Sequence, residues 1–233
     1  MKRFEFVFLS KDDDFQIDRQ YSQRITDKYP EVNFNYISNN EDSIAFNYNH
    51  FINKYRQSKD IDYLVLMHAD VYLDIEKLIQ HILLVEGKYD VIGLCGCKKI
   101  NVSKSPLNWF TGSSDFVNER YGCVSHGELG NNITFFNSHS PFIADTKVAC
   151  IDGLCIILTK KVIEETDLLF DERFKFDHYD TDFSFECTLK RKLNLGVIVR
   201  DDLMHWSVGK SILTQSFLES EKHFREKWQF QVN

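Results

Sequence analysis

Tyr63-Leu64-Val65-Leu66-Met67-His68-Ala69-Asp70-Val71 is the stretch on which the reading of this chain turns. A run of five apolar residues from Tyr63 to Met67 suits a short strand covered on both faces, since a half-exposed strand would alternate. Upstream of it lie a helix over about Glu41 to Gln57, a strand over Val32 to Ile37, and a polar, helix-compatible stretch ending before Pro30. The acidic loop Lys11 to Asp14 and a first strand, Phe4 to Leu9, precede these. Downstream, Asp74 can cap a helix whose Ile75, Leu78, Ile79, Ile82 and Leu83 recur at helical spacing, and Tyr89 to Leu94 supplies a fourth strand. The order β-α-β-α-β predicts an α/β fold: a Rossmann-like, mostly parallel central sheet flanked by helices. Residues from about Lys98 to Thr146 read as loop-rich, which suits a binding site. An apolar strand then spans Val148 to Leu158, a helix starts at Lys160, and a second helix covers Asp180 to Lys192. Strand Gly196 to Val199 and a C-terminal helix over Gln215 to Trp228 follow. There is no internal repeat and no linker, so a single domain over 1–233 is expected.

Composition narrows the function. The 233 residues carry 28 Lys+Arg against 35 Asp+Glu, a net charge of −7 without a basic stripe, which argues against nucleic acid as a partner. Hydrophobic residues at 43% with only 10 Gly and 3 Pro describe a folded chain. No run approaches a membrane span, and Met1 to Glu5 lacks a signal-peptide core, so a cytoplasmic location is expected. Six cysteines are too sparse for a disulfide scaffold, and Cys95-Gly-Cys97 is one residue short of a CxxC pair.

The candidate chemistry begins beyond the third strand. In open α/β sheets ligands bind past the carboxyl ends of the strands, where His68-Ala69-Asp70 stands; the plain alternative is a strand-ending turn. Asp177-His178-Tyr179-Asp180-Thr181-Asp182 crowds three carboxylates and a histidine before a helix, more than a helix cap requires. His205 follows a predicted strand, where a lone histidine is more often a packing or surface residue than a ligand. Asp152 interrupts an apolar strand, where a buried acid needs partners. Other signals weigh less: the sequons Asn101-Val102-Ser103 and Asn132-Ile133-Thr134 read as ordinary loops, and Asp12-Asp13-Asp14 as a solvated turn. His126 and His139, in the irregular middle, stand where they could touch an acceptor or simply face solvent. Gly93 and Gly96 are not followed by Gly-Lys-Ser/Thr, so no P-loop is present.

Taken in order, Tyr48-Asn49, His68-Ala69-Asp70-Val71, Ile92-Gly93 with Gly96, Trp109 with Gly112, Ile151-Asp152-Gly153, Tyr179-Asp180-Thr181-Asp182, His205 and Phe224 to Trp228 resemble the family 2 glycosyltransferases. The resemblance is strongest to a small bacterial subgroup that writes the Asp-X-Asp metal motif as His-X-Asp-Val. It implies a GT-A fold, with a nucleotide-binding half over about 1–97 and an acceptor-binding half over about 98–233. It implies a divalent cation, Mn²⁺ or Mg²⁺, held by Asp70 and His205, and a nucleotide side formed by His68, Asn49 and Gly93. His68 replaces an acid of the motif, which leaves open whether it meets nucleotide or metal. The catalytic base falls at Asp180, with Asp182 as rival, and Tyr179 stands where the family has Glu. Asp152, Gly153 and Trp109 match a site for donor sugar and acceptor, Trp109 being equally readable as a loop anchor. The implied activity is an inverting transfer from a nucleoside-diphosphate sugar, UDP-linked by preference, to a hydroxyl of a bacterial surface glycan. A lipid-linked acceptor would bring the chain to the inner face of the plasma membrane, and a homo-oligomer is left open. The alternative is a catalytically silent protein of the same fold that binds a nucleotide sugar or glycan.

Overall fold

The structure is a computed structural model that describes residues 2–39, 41–112, 119–127, 134–137, 145–207 and 214–229. Its first strands are β1 (Phe4–Leu9), β2 (Val32–Ile37) and β3 (Tyr63–His68), connected through helices α1 (Arg19–Lys28) and α2 (Ile44–Ser58). Helix α3 (Ile75–Leu84) follows the two-residue strand β4 (Val71–Tyr72) and leads to β5 (Val91–Gly93). The side chains of Asp18, Ser43 and Asp74 each accept the backbone N–H three residues on, which satisfies an otherwise orphaned donor and fixes where these helices begin.

The chain continues through β6 (Gly96–Cys97), β7 (Arg120–Tyr121), β8 (Cys123–His126), β9 (Thr134–Asn137), β10 (Asp145–Val148), β11 (Cys150–Ile151) and β12 (Cys155–Thr159). Helix α4 (Lys160–Glu165) comes next, then α5 (Tyr179–Phe185), which runs into a π-helical turn over Glu186–Lys190. Strands β13 (Leu195–Ile198) and β14 (Met204–His205) and helix α6 (Gln215–Trp228) complete the described order.

The central sheet has seven strands in the order β10-β13-β5-β12-β3-β1-β2. β1 pairs in parallel with both β2 and β3, and β13 with β5, whereas β12 runs antiparallel to both its neighbours and β10 antiparallel to β13. The parallel expectation therefore holds for five strand directions, and β12 is inserted against them. Pleating sends Leu64 and Leu66 to one face, packed with Tyr48, Ile52, Tyr179 and Phe183, and Val65 and Met67 to the other, packed with Phe6, Phe8, Leu78 and Ile82. This accounts for the unbroken apolar run, each such side chain contributing roughly 1.5–3 kcal/mol on burial. The same parity puts His68 on the Leu64 and Leu66 face, toward Tyr179.

Three expectations are corrected. The strand read over Val148 to Leu158 is divided among β10, β11 and β12, because the chain bends at Ala149 and turns after Ile151 through Asp152-Gly153; Asp152 stands in that turn. The helix read over Asp180 to Lys192 is α5 followed by the π turn. The middle segment is less irregular than its sequence, with β6 paired to β7 and β11, and β8 paired to β9 and β14. Asn132 and His139 lie outside the described residues.

Candidate active site

Two sheet junctions build the site. β3 ends at His68, whose backbone N–H donates to Leu154 O, and the chain turns through Ala69 and Asp70 into β4. In the four-stranded sheet β4-β14-β8-β9, the register sets His205 against Val71 on one side and His126 on the other. A hydrogen bond from Trp206 N to Asp70 O (2.8 Å) closes the junction. His205 is thereby delivered to the turn that carries Asp70.

His205 Nε2 lies 3.3 Å from Asp70 Oδ2, and His68 Nδ1 lies 4.0 Å from Asp70 Oδ1. One ligating atom from each of His68, Asp70 and His205 fits within 4.8 Å of the others. Two imidazoles and a carboxylate form a donor set suited to a divalent first-row cation, with manganese accepting both donor types. The Nδ1 of His205 is buried without a hydrogen-bond partner, and Asp70 keeps 43% of its side-chain exposure, so the cluster opens to solvent at its acid. Burial pulls the Asp70 pKa up, but the His205 hydrogen bond and the two imidazole charges outweigh it and hold the carboxyl below its usual range. Burial lowers His68. In His205 the same burial is overcome by Asp70, leaving it raised. The His126 ring is 5.2 Å from that of His205 and has its pKa lowered by burial. No local sequence signal ties His126 to His205; the pairing of strands far apart in the chain does.

Tyr179 joins this cluster to the acids. Its hydroxyl is 2.6 Å from His68 Nε2 and donates to Gly153 O at 2.9 Å. Gly153 N donates in turn to Asp180 Oδ2 (3.0 Å), and Thr181 N to Asp180 Oδ1 (2.7 Å). Burial pushes the Asp180 pKa up, the Asp152 charge adds to it, and the two backbone N–H donors only partly offset them, leaving it at about 7. Asp152 is fixed by Leu154 N on one oxygen and by the Trp109 indole N–H (2.7 Å) on the other. Trp109 is 8% exposed, so its ring is packed and its N–H orients an acid.

The remaining predicted residues lie elsewhere. Asp182 sits on the far side of α5, accepting from Lys227 Nζ (2.7 Å) and Trp228 Nε1 (2.8 Å) of α6. Asn49 is buried in α2, where its carboxamide donates to Phe170 O and Glu172 and accepts from Phe170 N. Gly93 is buried in β5, where a Cβ would come 2.8 Å from Ile151. His178 is wedged near Phe217 and Phe224 and bonds Ser220. The acid-rich segment thus divides, with Asp180 facing the 152–153 turn and Asp182 facing the C-terminal helix.

The model of a family described as glycosyltransferase-like matches residues 17–229. The chain belongs to that family. Among solved structures it is similar to GalNAc-T7 crystallised with UDP, GalNAc and Mn²⁺, at a TM-score of 0.50 and 9% identity, covering 97% of this chain and 48% of that one. It is also similar to TarS 1–349 of S. aureus (TM-score 0.43, 15% identity, 88% of this chain and 60% of that one) and to A197 from STIV (0.46, 13%, 92% and 99%). The likeness to GalNAc-T7 is one of fold, of the GT-A type, and this family member spans about half the length of that chain. No curated protein matches the sequence. Among the described residues no helix of this glycosyltransferase-like chain is long and apolar enough to cross a membrane.

Proposed function

We propose that the chain is a metal-dependent, inverting glycosyltransferase that moves a sugar from a nucleoside diphosphate, UDP by preference, to a glycan hydroxyl. The observation that carries this reading is a single hydrogen-bonded unit, His68–Tyr179–Gly153–Asp180, with a cation-competent cluster at one end and a carboxylate titrating near neutrality at the other. A binding module has no need of a poised base beside a cation site.

Asp70 and His205 would hold the divalent cation, Mn²⁺ or Mg²⁺. Bound there, it supplies Lewis-acid neutralisation of the charge that develops on the departing diphosphate, which an acidic chain otherwise repels. Asp180 takes the proton of the acceptor hydroxyl as its oxygen bonds to the anomeric carbon; the carbon–oxygen bond to phosphate breaks, and its electron pair leaves with the diphosphate. The raised pKa suits this, because a base near the working pH combines proton affinity with an adequate ionised fraction. Asp152, held by Trp109, offers a fixed carboxylate for sugar hydroxyls, and Gly153 lets backbone come close to them. The 1–97 and 98–233 division into nucleotide and acceptor halves follows the same reading, as does an acceptor of bacterial surface-glycan type.

The test is hydrolysis of UDP-sugars with and without Mn²⁺. Turnover that needs the cation and disappears in Asp70→Ala and Asp180→Asn supports the enzyme. Nucleotide binding without any turnover, with or without candidate acceptors, would identify the silent binding protein instead.

A further inference from the structure

Two positions depart from the family pattern, His68 in place of an acid and Tyr179 in place of Glu, and in the folded chain they touch. The Tyr179 oxygen lies 2.9 Å from the carbonyl oxygen of Gly153 and 2.6 Å from His68 Nε2. A carbonyl can only accept, so a hydrogen must lie between the two oxygens, and Tyr179 has only one to give. Its oxygen therefore faces His68 as an acceptor, and His68 Nε2 must carry the ring proton. In the neutral ring that cation binding requires, the other nitrogen, Nδ1, then carries the free lone pair, and it is the atom that stands 4.0 Å from Asp70 Oδ1.

The packing enforces this arrangement. Tyr179 is 4% exposed, ringed by Tyr48 and Phe170. A Cβ at residue 153 would fall 2.0 Å from the Tyr179 hydroxyl, so the absence of a side chain there is what admits the oxygen. His68 is flanked by Phe176 and His205, at ring distances of 6.4 and 6.2 Å.

We infer that Tyr179 is a positioning residue that locks His68 as the Nε2–H tautomer and so makes His68 Nδ1 the third ligand of the cation held by Asp70 and His205. This rests on the cation site proposed above and gives His68 a role that its sequence position leaves open. Outer partners that fix a ligating imidazole typically change metal affinity 10- to 100-fold when removed.

Two measurements on the full chain test it without recourse to turnover. In ¹⁵N-histidine NMR of the wild type, His68 should show its proton on Nε2, and the Nδ1 resonance should move when diamagnetic Zn²⁺ is added. In EPR titrations, Mn²⁺ should bind Tyr179→Phe at least about tenfold more weakly than wild type. Nitrogen couplings to the bound Mn²⁺ should report two imidazoles in wild type and one in His68→Ala. A His68 proton on Nδ1, or a single imidazole coupling that survives His68→Ala and is lost in His205→Ala, overturns the inference while leaving the cation site standing. Unchanged Mn²⁺ affinity in a folded Tyr179→Phe also overturns it. Absence of Mn²⁺ binding to the wild type at all removes the cation site and the inference together.

Discussion

Among the carboxylates of the cleft, Asp180 is the one whose ionisation the surroundings oppose, and its behaviour with pH follows from that. As a base it must be ionised to work, so kcat/KM should rise with pH and level off above about 7, and Asp180→Asn should lose roughly 10²- to 10⁴-fold in rate without the acid limb. The stability consequence has a definite sign. Unfolded, the group titrates near 3.8; folded, near 7. Below the lower value it is protonated in both states and costs nothing; above the upper value only the folded state holds the charge unfavourably. The melting temperature of Asp180→Asn relative to wild type should therefore climb between about pH 4 and pH 7 and then stay flat, whatever the offset from the N–H bonds the amide alters. A relative melting temperature that does not change with pH would mean that Asp180 is not desolvated. Asp180 stood out in the sequence by local crowding, with Asp182 as its rival, and Asp70 by its place at a strand end, whereas His205 was singled out only by the resemblance. The Tyr179–His68 contact was not legible there, because it joins positions 111 apart and nothing local to either residue names the other.

The C-terminal helix α6 is tied down by two largely buried cations, Arg225, which donates to Val102 O and Lys104 O, and Lys227. Lys227 Nζ meets Asp182, Asp171 and Glu186 at 2.7, 3.0 and 3.1 Å, with 11% of its side chain exposed. Phe224, fully buried against Phe174 and Phe185, supplies the apolar half of the attachment, so this face of the helix is spent on the core. Lys227→Met leaves Asp182 with only the Trp228 N–H, while Asp171 keeps Arg173 and Glu186 keeps Lys190 and Arg191, so the loss should fall toward the lower end of about 3–5 kcal/mol in urea unfolding. Lys227→Arg should cost clearly less. Because Asp182 and Asp180 sit on opposite sides of α5, loosening α6 should also lower turnover. An unfolding midpoint unchanged in Lys227→Met would show that the cluster is solvated and contributes little.

For the molecule as a whole, the cation cluster and the Asp180 turn are supplied by distant parts of the chain: β3 and β4, the turn before β12, α5, and β14. A ligand that bridges them binds the folded state alone and should stabilise all of it together. UDP with Mn²⁺ at about 100 times its dissociation constant should add about 2.7 kcal/mol, or roughly 5–10 °C in a chain this size. The shift should vanish in Asp70→Ala and with Mn²⁺ withheld. A shift of equal size with and without the cation would place the nucleotide elsewhere.

What the sequence by itself determined is the alternation of helices and strands, the double-sided burial of Tyr63 to Met67, and the appearance of His68 and Asp70 at that strand's end. Periodicity and capping are local, so they can be read within ten or fifteen residues. What only the tertiary structure decided is partnership. The antiparallel entry of β12, the break of the 148–158 stretch at Asp152-Gly153 and the delivery of His205 and His126 to Asp70 depend on strand pairings between remote segments, and the divergence of Asp180 from Asp182 on what packs against the two sides of α5. Those pairings are selected by how whole faces pack, a property that no short window of sequence contains.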